Sequence, residues 1–63
     1  MIIFKTTEEA KKYFVCEDYI DGDFENSAGY RGTIDEMINL MKEGQELHTI
    51  TGEWQYFKID KER

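Results

Sequence analysis

Asp21, Asp23 and Glu25 stand at alternate positions, the spacing that supplies the first three ligands of an EF-hand calcium loop. With Asp21 opening the loop, Asn26 falls where glycine is needed and Gly32 falls where a bidentate glutamate is needed. Opening at Asp18 instead puts Ile20 at a ligand position. Neither register builds a calcium site. Zinc fares worse, because Cys16 and His48 are the only soft or imidazole ligands and a structural zinc usually takes four protein ligands. Nucleophilic chemistry would have to join His48 to Cys16 or to Ser27, and no spacing brings them together. A single histidine in an alternating strand is more often structural than catalytic. Gly22, Gly29 and Gly32 precede no basic phosphate-binding pattern. The expectation is a protein that is not an enzyme and needs no metal or cofactor.

What remains distinctive is acidity. The stretch CEDYIDGDFENSAGY, residues 16–30, holds five carboxylates and no basic side chain. Glu17 to Glu53 carries ten acids against Arg31 and Lys42, a local balance of −8 within a formal net charge of −6. The other bases, Lys5, Lys11, Lys12, Lys58, Lys61 and Arg63, lie toward the ends. A field of that sign repels phosphate, which disfavours direct binding to nucleic acid or to an anionic membrane and favours a basic partner protein. The plainer alternative is that the charge only keeps a small protein soluble. Tyr30, Arg31, Trp54 and Tyr56 could stack RNA bases, but the acids around them oppose contact with the backbone.

The elements that position these residues must come from a chain of 63 residues, read as one domain over 1–63. A domain of that size has a stability of about 3–9 kcal/mol, at roughly 0.05–0.15 kcal/mol per residue. Nine aromatics, or a second copy of the chain, are the means of completing so small a core. One cysteine forms no internal disulfide, and the start MIIFKTTEEAKK is too quickly charged for a signal peptide. A cytoplasmic protein is expected.

MIIFK reads as a strand. Thr6 and Glu9 then form a capping box, in which Glu9 reaches back to Thr6, and Ala10, Tyr13 and Phe14 share one face of a helix over residues 7–14. Thr33 caps a second helix over residues 34–43, with Asp35 and Glu36 at its positive end. Ile34, Met37, Ile38 and Met41 form its apolar stripe, widened by Leu40, and Gly44 ends it in a left-handed conformation. Residues 46–60 read as a β-hairpin turning near Thr51-Gly52, with Trp54, Tyr56 and Lys58 on one face and Gln55, Phe57 and Ile59 on the other. An aromatic pair on the outer face either covers an irregular loop or contacts a partner. Tyr19, Ile20 and Phe24 anchor an irregular strand or bulged hairpin in the acidic segment, with its carboxylates facing out. The fold expected is α+β: two helices on a short, mainly antiparallel sheet.

In size, charge and lack of catalytic residues, the chain resembles in type the small acidic α+β proteins that phages and mobile elements make to block host nucleic-acid-handling enzymes. That resemblance implies carboxylates presented where a target expects phosphates. The leading expectation is an inhibitor or regulator whose Glu17, Asp18, Asp21, Asp23 and Glu25 engage a basic partner protein. The second is a self-associating structural or regulatory domain whose Trp54 and Tyr56 form a homodimer interface. The two differ in which residues carry recognition.

Overall fold

A computed structural model describes residues 1–60; Lys61 and Arg63, two of the bases near the chain end, lie outside the described residues. Six elements follow in order: β1 (Ile2–Phe4), α1 (Thr7–Cys16), β2 (Phe24–Asn26), α2 (Ile34–Lys42), β3 (Leu47–Thr49) and β4 (Tyr56–Ile59). The strands form one sheet in the order β1-β4-β3-β2. Both helices pack on it, so the α+β expectation is met.

Two of the three ladders are antiparallel, β2 with β3 and β3 with β4; β1 runs parallel to β4, pairing Ile2 with Phe57 and Phe4 with Ile59. β1, β4 and β2 therefore run one way and β3 the other. The strands joined by α1 sit at opposite edges of the sheet, and the C-terminal hairpin fills the gap between them. Its register, Leu47 with Phe57 and His48 with Tyr56, centres on Gly52, whose φ of 71° supplies the left-handed turn.

Both helices start where their side chains can satisfy free amides. The Thr6 hydroxyl accepts from Glu9 N–H at 3.1 Å. The Glu9 carboxylate, however, takes the Lys5 N–H at 3.1 Å rather than that of Thr6, so the first capping box is half formed. The full box occurs at α2, where Thr33 accepts from Glu36 N–H and Glu36 accepts from Thr33 N–H.

Each helix ends in a Schellman turn. After α2, Gly44 N–H donates to Met41 C=O and Gln45 N–H to Leu40 C=O, with Gly44 at φ 97°. After α1, Asp18 N–H donates to Val15 C=O and Tyr19 N–H to Phe14 C=O, and the left-handed residue is Asp18, at φ 59°. The first helix thus runs two residues past its expected end before it turns.

The helices cover one face of the sheet. Ala10 and Phe14 from α1, Met37, Ile38 and Met41 from α2, and Phe4, Phe24, Leu47, Phe57 and Ile59 from the strands form the core. Six of the nine aromatics meet there, with Phe14 at the centre: its ring centroid lies 4.6 Å from Phe24, 5.3 Å from Phe57 and 5.6 Å from Phe4. Tyr13 and Tyr19 close the cluster at its margin. Rings at these separations and tilts contribute contact energy beyond their buried area.

Candidate functional site

The acidic segment forms a shorter strand than its apolar residues suggested, anchored by the buried Phe24 and by Tyr19 but not by Ile20. Only Phe24–Asn26 pairs with the sheet; Tyr19 is half-buried against the core, and Ile20 projects into solvent at 63% exposure. The reason lies in the Schellman turn at Asp18, which redirects the chain before a strand could begin.

Its carboxylates divide into two groups. Asp21 Oδ1 accepts from Ile34 N–H at 2.9 Å, capping the first turn of α2 from 13 positions away. Asp23 Oδ2 accepts from Ile20 N–H at 2.9 Å, closing the turn that Asp23 N–H makes with Ile20 C=O. Glu25 Oε1 accepts from His48 Nε2 at 2.9 Å, and Glu25 Oε2 lies 3.4 Å from Arg31 Nε. Asp23 and Glu25 are half-buried, so the expectation that all five face out holds only for Glu17, Asp18 and Asp21. Glu17 and Asp18 accept no side-chain hydrogen bond among the described residues. The three alternating carboxylates are therefore directed to three different places. Among the described residues no His, Cys, Asp or Glu cluster is arranged to hold a metal ion.

A second surface lies on the sheet face away from the helices. Glu25, His48 and Tyr56 are cross-strand neighbours there, and Ile3 stands beside Lys58. The alternation of β4 is as expected: Phe57 and Ile59 enter the core while Tyr56, at 44% exposure, faces out. Trp54 is 67% exposed and covers no loop; its indole stacks on His48, with centroids 5.3 Å apart and planes 28° apart.

Trp54 is held there by Thr49, a buried residue that sequence reasoning did not single out. Thr49 N–H donates to Gln55 C=O, Gln55 N–H donates to Thr49 Oγ1 at 3.0 Å, and Thr49 Oγ1 donates to Glu53 C=O at 2.9 Å. The residues on both sides of Trp54 are thus tied to one threonine. Gln55 is further fixed by the Tyr19 hydroxyl, which donates to its side-chain oxygen at 3.2 Å.

Asn26 organises the opposite edge, and it too was missed. Its side-chain oxygen accepts from Ala28 N–H and Tyr30 N–H, its amide donates to Gln45, and its own N–H donates to Tyr30 C=O. An asparagine at a strand end followed by Gly29 is the signal that could have marked this turn.

The electrostatics follow the contacts. The His48 hydrogen bond holds the Glu25 carboxyl below the usual glutamate range; partial burial opposes this and Arg31 adds to it. The Thr33 N–H does the same for Glu36, helped by the Tyr30 hydroxyl at 2.8 Å, and that bond in turn raises the Tyr30 phenol.

No protein-family model matches the chain, and neither the curated proteins nor the solved structures give a match. No helix among the described residues is long and apolar enough to cross a membrane.

Proposed function

We propose that this is a non-enzymatic binding protein that engages a basic surface of a partner protein, acting as an inhibitor or regulator of a nucleic-acid-handling protein. One observation carries the reading. Of the ten acids from Glu17 to Glu53, only Glu25 and Asp35 have a cationic side chain within ion-pair distance among the described residues. Arg31 is engaged by Glu25, and Lys11 by Asp35 at 3.4 Å. Among the described residues the other eight carboxylates have no cationic side chain within ion-pair distance, and a field of that sign steers a cationic partner and repels an anionic one.

Asp21, Asp23 and Glu25 also maintain the fold, so they are poor probes of recognition. Glu17 and Asp18 are the clean ones. The test immobilises the protein and its Glu17→Gln, Asp18→Asn variant and identifies what each retains from extracts of the source cells. A basic protein held by the wild type, released by raised salt and lost from an equally stable variant is the expected result. Equal capture by both, or capture unaffected by salt, would sink the reading.

A further inference from the structure

We propose that the open sheet face is the docking surface for an arginine-bearing segment of a partner protein, with the Trp54 indole as its platform. This rests on the reading of a cationic partner given above.

Trp54 is a large apolar ring left two-thirds in water, and contacts bear on it from two sides. Thr49 fixes the backbone at Glu53 and Gln55, and His48 lies under one face of the indole. His48 is itself held by Glu25 on the neighbouring strand and flanked by Tyr56 at 5.8 Å. The ordering cost of presenting the ring is therefore met within the free protein, as in preorganised interface anchors. The other indole face is open.

Charge selects the occupant. A second copy carries the same whole-chain net charge of −6, which opposes its approach. A guanidinium can stack on the exposed indole while pairing with Glu53, the exposed residue next to Trp54; Glu25 is engaged by His48 and Arg31, and Lys58 lies farther along the same face. Lysine carries the same charge but lacks the planar group that stacks. The platform thus predicts a preference for arginine over lysine that a diffuse acidic field would not create.

The experiment titrates the full chain with labelled nona-arginine and nona-lysine peptides, for the wild type, Trp54→Ala, Trp54→Phe and Thr49→Val. Melting and sedimentation are measured on each protein. The wild type should bind the arginine peptide more tightly, and Trp54→Ala should lose about tenfold for that peptide and little for the lysine peptide. Trp54→Phe should recover part of the loss. Thr49→Val keeps the indole but loses the hydroxyl that ties Glu53 and Gln55, and it should also bind the arginine peptide less tightly. Equal affinity for the two peptides, untouched by Trp54→Ala, overturns the platform and leaves the cationic-partner reading standing. Binding of neither peptide at low salt overturns both. A wild-type dimer that Trp54→Ala dissociates makes a second copy the occupant and overturns the proposal.

Discussion

His48 Nε2 and Glu25 Oε1 meet at 2.9 Å across the β2–β3 ladder, 23 positions apart in the chain, and this contact joins the acidic segment to the aromatic face. Because His48 also supports the Trp54 ring, the two surfaces are parts of one connected arrangement.

The contact makes stability depend on acid. Glu25 is held below the usual glutamate range, chiefly by the His48 hydrogen bond, so the folded state favours its charged form. A lowered carboxyl stabilises the fold above the unfolded value, about pH 4.3, and that contribution is lost as pH falls through the folded value. Melting temperatures of the wild type and Glu25→Gln should differ near neutral pH and converge in acid. A gap that stays constant with pH would mean that the charge on Glu25 does not matter to folding. Glu36 is lowered in the same direction by Thr33 and Tyr30, so the variant should keep some acid sensitivity of its own.

Two neighbouring carboxylates should respond in opposite directions when removed. Asp18 occupies a left-handed position at the end of α1, where a side chain is strained, and Asp18→Gly should raise stability by about 1 kcal/mol. Asp21 caps the start of α2, and Asp21→Ala should lower stability by about 1 kcal/mol. Urea unfolding of both variants checks this. Effects of the same sign would show that repulsion among the acids outweighs their backbone roles.

Phe14 is fully buried and touches rings from β1, β2 and β4. Phe14→Ala should cost about 3–5 kcal/mol, comparable with the whole stability of a domain this small. The expected observation is loss of cooperative thermal unfolding at or near room temperature. A loss under about 1 kcal/mol would mean that the core can close around the cavity.

Much of the fold was legible in the sequence because its signals are local. Thr6 and Thr33 lie three residues before the amides they cap, the Ile34–Met41 stripe repeats at the helical period, and Gly44 and Gly52 mark the reversals they make. The alternation that sends Phe57 and Ile59 inward and Tyr56 outward needs only the pleat of one strand. Strand partners are another matter. β1 lies parallel to β4 across more than fifty residues, and that pairing depends on where α1 leaves the chain after crossing the sheet.

The site was less legible for the same reason. The sequence by itself determined that the middle of the chain is acidic, that Trp54 and Tyr56 alternate onto one face, and that the Asp21, Asp23, Glu25 spacing is not continued into a complete EF-hand loop. Only the tertiary structure decided which carboxylates are committed: Asp21 to the amide of Ile34, Asp23 to that of Ile20, and Glu25 to His48. It also decided that Thr49 ties down both neighbours of Trp54 and leaves the ring on His48 rather than in the core. Composition fixes how much charge and apolar surface a chain carries. A hydrogen bond reaches only about 3 Å, so its partner is chosen by register and by turns that bring distant residues together.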